Sequence, residues 1–450
     1  MASTNLNRTP SSASNRKTWT WSGWVKKSTL GSQQVLFQGG DGGYPEKIVF
    51  TASDILEYDY DIAGTDYTVF VTDRRFRDVN GWLHIVVAKD TTQATETDRI
   101  KIYVNGEQQS LSEYQLGYPP QNHDGAINNN VEHCLGSNSN GGEFFGGIMS
   151  HVHFVDGSAL APTVFGSTDS TTGEWKINTS PSVTYGTNGF FMFKDDNSLN
   201  DDSGNSNNFA LEAGTLTKTE DCPSNVFATF NPLARNASNT YANGNTTYDY
   251  SNNFQKSTVT TLTTNNKKIY AEFKVLRNTT MHLGIAGDTY ISDGRTVTDT
   301  SASHTYDIRG HTGAIVLQTG VGGDANIYAD GSDTSINVDF TTATNDIIMI
   351  AFDPTTKKIW WGKNGTWSSS GNPATGANAS YTYSGTATSD FCFGVGSEGS
   401  NAGAISANFG NGYFGTTAVS SAGTNASGNG IFEYDCPSGY TALSTKGLNL

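Results

Sequence analysis

The chain has 450 residues, including 50 glycines, 20 tyrosines, 23 phenylalanines and 8 tryptophans, and carries a formal net charge of −16. So acidic a balance excludes binding along a nucleic-acid backbone, which needs clustered lysine and arginine. The length suits two all-β domains, and the abundance of Gly, Asn, Ser and Thr suits short strands and tight turns rather than helices.

Residues 1–17 are rich in Ser, Thr and Asn, show no apolar periodicity, and read as a polar arm that is disordered alone. They hold no apolar stretch of the kind a secretory leader needs, and the longest apolar run, Ile347 to Phe352, is too short to cross a bilayer. A first β domain is expected over 18–216. In Glu57-Tyr-Asp-Tyr-Asp61 the period of two puts three carboxylates on one strand face and turns Tyr58 and Tyr60 inward. Paired carboxylates are what glycoside hydrolysis requires; a solvated face is the plainer reading. Trp82-Leu-His-Ile-Val-Val-Ala88 and Arg99-Ile-Lys-Ile-Tyr-Val-Asn-Gly106 form two strands, the second ending in Asn-Gly. That dipeptide supplies the two positive φ angles of a type I′ hairpin turn.

His151 and His153 alternate on the next strand and, with His133, could hold a metal, although a solvated face also accounts for them. Asp195, Asp196, Asp201 and Asp202 share one Asn-rich loop and offer the oxygen ligands that calcium takes. A linker is expected at 217–225. The cysteines at 134, 222, 392 and 436 lack the spacing of zinc or redox motifs. Cys222 and Cys436 share an Asp-Cys-Pro-Ser context, so a disulfide between them and two reduced thiols both stay open.

The second domain spans 226–450. Val226 to Leu233 reads as an entry strand, and Ala271, Phe273 and Val275 alternate with Tyr270, Glu272 and Lys274 as a half-buried strand. Ile336, Val338 and Phe340 show the same alternation. Asp346-Ile-Ile-Met-Ile-Ala-Phe352 and Lys358-Ile-Trp-Trp-Gly-Lys-Asn-Gly365 repeat the Asn-Gly hairpin of the first domain. Sugar C–H faces pack on aromatic rings, so loop aromatics are the candidate ligand contacts: Trp367, Tyr381 and Tyr383 just past this hairpin, with Tyr44 and Tyr118 in the first domain.

Three of these motifs, the Trp82 and Arg99 strands and Phe145-Gly-Gly-Ile with Val152-His-Phe-Val-Asp-Gly-Ser-Ala-Leu160, resemble laminin-G or concanavalin A-like lectin domains. The second half resembles SPRY domains in Lys268-Ile-Tyr-Ala-Glu-Phe-Lys-Val275, His282-Leu-Gly-Ile-Ala286, Ile359 to Trp367 and Ala407-Asn-Phe-Gly-Asn-Gly-Tyr-Phe414. Lys17-Thr-Trp-Thr-Trp-Ser-Gly-Trp24, Asp169-Ser-Thr-Thr-Gly-Glu-Trp175, Phe227-Ala-Thr-Phe-Asn-Pro-Leu233 and Pro437-Ser-Gly-Tyr-Thr-Ala-Leu443 are similar to modules of marine tailed phages.

The resemblance implies an all-β protein of two antiparallel jelly-roll sandwiches in tandem. It further implies a non-enzymatic virion structural protein, a tail-fibre tip or capsid decoration, that adheres to host surface glycans. A purely architectural virion protein and a glycan hydrolase are the alternatives. The expected partners are other virion proteins, further copies in a homo-oligomer such as a trimer, and host glycans, with no nucleic acid and no membrane insertion. The protein would be made in the host cytoplasm and displayed on the virion surface. No catalytic residue, metal ligand or cofactor is expected, with calcium left open. Heptads and solenoid periods are absent, so the sandwiches would hang from another virion protein, with the N-terminal arm as the docking element.

Overall fold

The computed structural model describes residues 3–40, 45–62, 66–115, 117–233, 239–250, 256–287, 308–319, 325–385, 390–397 and 402–449. They divide into two units, Met1–Lys218 and Thr219–Leu450, and nearly every regular element in both is a strand. Both hairpin turns form as their dipeptides require, with φ of 50° and 81° at Asn105 and Gly106 and of 48° and 86° at Asn364 and Gly365.

Among the described residues, the first unit has two large antiparallel sheets. One runs in spatial order Leu111–Gln115, Asp66–Arg75, Ile55–Ile62, Glu46–Phe50, Gln34–Gly39, His133–Leu135, Asn5–Arg8 and Ala210–Ala213. The other runs Phe190–Met192, Gly147–Asp156, Thr18–Lys27, Leu83–Asp90, Ile100–Val104 and Glu107–Gln108. Alternation turns Phe37, Tyr58 and Tyr60 from the first sheet and Trp19, Trp21, Ile85 and Phe154 from the second into one core. Full burial of a large apolar side chain stabilises by about 1.5–3 kcal/mol, so this cluster dominates the unit's stability. Two buried ion pairs lie in the same unit. Glu46 Oε1 receives Lys89 Nζ at 2.6 Å and also the Tyr58 hydroxyl, and Lys27 Nζ lies 3.0 Å from Asp54 Oδ1. Removing one partner of such a pair costs about 3–5 kcal/mol because the other charge is left buried and alone.

The expected free arm at 1–17 is not what forms. Asn5–Arg8 is an interior strand, paired with His133–Leu135 on one side and Ala210–Ala213 on the other. Leu6 is 2% exposed and belongs to the core, and Arg8 donates to Asn188 O at 3.1 Å. A four-residue strand with one inward leucine is too short to register as a period. The boundary also falls near the front of the expected linker, between Lys218 and Thr219, so 219–225 belong to the second unit.

In the second unit one sheet runs Asn239–Ala242, Thr247–Tyr250, Gly403–Asn408, Ile269–Arg277, Ile347–Asp353, Lys358–Lys363 and Thr366–Trp367. Tyr381–Thr382 joins it beside Lys358–Lys363, and Thr441–Ala442 pairs parallel with Ile269–Arg277. The facing sheet runs Lys256–Val259, Phe391–Ser397, Met281–Gly287, Ala314–Thr319, Asn326–Ala329 and Ser332–Asn337. Phe273, Ile285, Ile350, Trp361, Phe393 and Phe409 fill the space between them. Two expectations need correction here. Val226 to Leu233 makes only isolated bridges, Phe227 with Ser444 and Phe230 with Thr260. Ile336 is 43% exposed while Val338 is buried, because Ser335 takes a φ of 59° and breaks the alternation. All four cysteines are free thiols, so Cys222 and Cys436 are not joined.

Deleting residues 2–17 removes an interior strand together with Leu6. The truncated chain is expected to lose the first unit's cooperative thermal transition, measured by calorimetry. Retention of that transition at its original temperature would contradict the role given to Asn5–Arg8.

Candidate functional site

The 269–277, 347–353 and 358–363 strands turn alternate residues away from the main core of the second unit. Tyr270, Met349, Ala351 and Trp360 thereby make a second apolar face, which Phe432, Cys436, Tyr440 and Ala442 of the C-terminal segment cover. Glu272 seats that segment. It is 0% exposed, and its carboxylate accepts the N–H groups of Glu433 (2.9 Å) and Tyr434 (2.8 Å), the Tyr270 hydroxyl (3.0 Å) and Asn408 Nδ2 (3.2 Å). Asn408 Nδ2 also donates to Ile431 O at 3.0 Å. Burial pushes the Glu272 carboxyl up to about 7, outweighing the hydrogen bonds that favour its charged form.

With the segment seated, a cleft of about 580 Å³ opens between the 371–374 turn and residues 424–426 and 435–438. Trp367 is half-buried at its wall, with its ring edge-on to Tyr270 at 6.2 Å. The Asn364-Gly365 hairpin brings Trp367 opposite Gly362. A Cβ at Gly362 would collide with Met349 Cε and the Thr366 carbonyl oxygen and come within 3.1 Å of Trp367 Cε3, so only glycine fits beneath this turn. Asn372, Thr424, Asp435 and Ser438 supply exposed polar groups, and Pro373 and Pro437 stiffen the two sides. The Thr424 N–H donates to Asp435 Oδ1 at 2.7 Å and holds that carboxyl below its usual range. A shallow cleft with one aromatic wall and several hydroxyl, amide and carboxylate groups is chemically suited to a sugar.

Of the aromatics singled out from sequence that lie among the described residues, only Trp367 stands at this cleft. Tyr381 is half-buried against the main core, paired with Ile359. Tyr383 is 3% exposed and donates its hydroxyl to Asp330 Oδ1 at 2.7 Å, which makes it a core residue rather than a ligand contact. Tyr118 packs on Phe70 at 4.7 Å beside the first unit's core. Tyr44 lies outside the described residues. Asn372, Asp435 and Ser438 were not singled out, although the Asp435-Cys-Pro-Ser motif and the polar loop after Trp367 were the available signals.

In the first unit Tyr58 and Tyr60 turn inward as expected, but the opposite face is not a solvated one. Asp59 is buried and lies 3.5 Å from Lys47 Nζ, which is 3.9 Å from Glu143. Burial, reinforced by Asp59, pushes Glu57 up to about 7. The side chain of Asp61 is outside the described residues. The histidines are not a solvated face either. Segment 158–185 covers the outer side of their sheet through Leu160, Val164, Phe165, Val183 and Tyr185. His153 stacks on Phe191 at 4.0 Å with Nδ1 2.8 Å from the Tyr185 hydroxyl, while a bulge gives His151 a φ of 48°. His133 sits in the other sheet, with Nε2 accepting Asn128 N–H at 2.9 Å. Asp201 accepts the N–H groups of Phe191, Ser203 and Asn207 and thereby anchors its loop. Among the described residues no three His, Cys, Asp or Glu side chains converge as a metal site.

Both units are antiparallel β-sandwiches, and the first is more closely defined. Residues 2–165 match the Concanavalin A-like lectin/glucanases superfamily, so the first unit carries a concanavalin A-like domain. Among solved structures, the chain is similar to the SPRY domain of human HERC1, at 13% identity over 40% of this chain and 96% of that one, with a TM-score of 0.29. The native heptameric SAP-like pentraxin from Limulus polyphemus is 13% identical over 36% and 72%, with a TM-score of 0.28. The PSpry domain of TRIM65 is 9% identical over 40% and 91%, with a TM-score of 0.29. Comparison with curated proteins gives no match.

At pH 5 the buried Glu272 carboxyl is protonated and carries one hydrogen among groups that donate; Glu272→Gln sets two hydrogens there, and should destabilise the second unit by about 1–3 kcal/mol in denaturant titrations at that pH. The folded state holds the Glu272 proton more tightly than the unfolded state does, since its carboxyl is raised from 4.5 to about 7. Wild-type stability therefore falls as pH rises from about 4.5 to about 7, so the deficit of the variant should narrow by pH 8. A deficit that widens with pH would contradict the assignment.

Proposed function

We propose that this chain is a non-enzymatic adhesin of a phage particle, displayed on the virion surface as a tail-fibre tip or capsid decoration, and that it binds host surface glycans. The observation that carries the glycan reading is Trp367, half-exposed on the wall of a cleft of about 580 Å³ that also presents Asn372, Thr424, Asp435 and Ser438. A concanavalin A-like domain in the first unit suits carbohydrate binding as well. The virion setting rests on the resemblance of the Trp-rich opening and the Asp169 to Trp175 hairpin to phage modules. Other virion proteins and further copies of the chain are the proposed partners. Because Asn5–Arg8 is an interior strand of its own sandwich, attachment to the particle is assigned to a sandwich surface rather than to a free arm.

A second reading has one observation in its favour. Glu57, raised to about 7 by burial, has the protonation a general acid needs near neutral pH. Against it, Asp59, the neighbouring carboxylate on that strand, is already paired with Lys47.

Both readings are tested by incubating the purified chain with host cells and host polysaccharide. The wild type should bind, Trp367→Ala should weaken binding by about tenfold, equivalent to about 1.4 kcal/mol, and no reducing ends should appear. Unchanged binding by Trp367→Ala would move the site elsewhere. Absence of binding in the wild type would favour the architectural alternative. Reducing ends that vanish in Glu57→Gln would establish the hydrolase.

A further inference from the structure

The charge of the cleft is one-sided. Asp435 is the sole charged side chain among the described residues that line it, and it lies exposed at the same wall as Ser438. Thr424 bonds the Asp435 carboxylate through its N–H, at Oδ1, and through its side chain, which orients the group and keeps it ionised while the residue stays exposed. No lysine, arginine or histidine stands among the lining residues to offset it. Lys358, close to the 371–376 turn, is tied to the Gly376 carbonyl at 2.8 Å. The chain as a whole carries −16, so the long-range field opposes anions approaching this surface.

Resting on the glycan reading above, we infer that the cleft selects among glycans by charge, with Asp435 as the specificity-determining residue: it favours sugars bearing a free, protonated amine and rejects those bearing carboxylate, sulfate or phosphate. A hexosamine ring stacked on Trp367 would present its equatorial substituents to the opposite wall. There an ammonium group pairs with the Asp435 carboxylate, whereas a uronate meets it as a like charge. Neutral sugars bind between these extremes, through ring stacking and hydrogen bonds to Asn372 and Ser438. The discrimination is modest because the carboxylate is exposed; a solvent-facing ion pair changes affinity by about two- to fivefold.

Calorimetric titration of the full chain with three tetrasaccharides tests this: β-1,4-linked glucosamine, its fully N-acetylated form, and galacturonic acid. The glucosamine tetramer should bind about two- to fivefold more tightly than the N-acetylated one, and the galacturonate should bind most weakly. The ratio should shrink toward one in 1 M salt, where the screening length falls to about 3 Å. Asp435→Asn keeps an acceptor for Thr424 N–H, and should also bring the ratio to one. Asp435→Glu retains the charge and should preserve the order. Equal affinity for the amine and N-acetyl forms, or an order that survives Asp435→Asn, overturns the inference and leaves the glycan reading standing. Failure to bind any of the three overturns both.

Discussion

The carboxylate of Glu272 takes up two consecutive backbone N–H groups from a segment some 160 residues further along the chain, at Glu433 and Tyr434. A carboxylate taken fully out of water is costly unless its lone pairs are occupied, and here four donors converge on it. The geometry that satisfies the charge also fixes the register of the C-terminal segment. Phe432, Cys436 and Tyr440 then come to rest on Tyr270, Met349 and Trp360. Asp435 and Ser438, which lie between those anchors, are left exposed. The far wall of the cleft is thus a consequence of one buried polar group, and its near wall of the Asn364-Gly365 turn.

The first unit handles buried charge differently. Glu46 is neutralised directly by Lys89, and it also accepts the Ile127 N–H at 2.7 Å, which draws a covering loop over the pair. Gly125 lies so close to both charged groups that a Cβ there would displace them. The pair is sealed and serves the fold. On the outer side of the second sheet His84 lies between Trp24 (4.9 Å) and Trp175 (6.0 Å), accepts the Trp175 indole N–H at 3.0 Å, and is pushed by burial down to about 3. What looks in the sequence like polar decoration of a strand is, in this unit, largely interior.

That difference explains which features were legible in the sequence. Local rules carried the two Asn-Gly hairpins, the inward Tyr58 and Tyr60, and the all-β architecture, because each depends on residues adjacent in the chain. Alternation assigns residues to two faces of a strand but cannot say whether the second face is covered. Glu272 and Lys274 were therefore read together as the open side of a half-buried strand, yet Glu272 is interior because the C-terminal segment arrives there. The same limit separates Trp367 from Tyr383. Both follow the second hairpin, but Tyr383 turns toward Asp330 and the core whereas Trp367 stands at the edge of the covering segment. Asn5–Arg8 was missed because its place between two strands is set by long-range pairing, and a single leucine is its only local mark.

The central claim is that the two walls meeting at Trp367 and Asp435 form a binding surface for sugar. Hydrogen–deuterium exchange of the full chain, compared with and without a saturating β-1,4-linked glucosamine oligosaccharide, tests it most directly. The account predicts slower exchange confined to the segments around 366–376 and 424–438. Protection appearing only within residues 1–218, with those two segments unchanged, would contradict it.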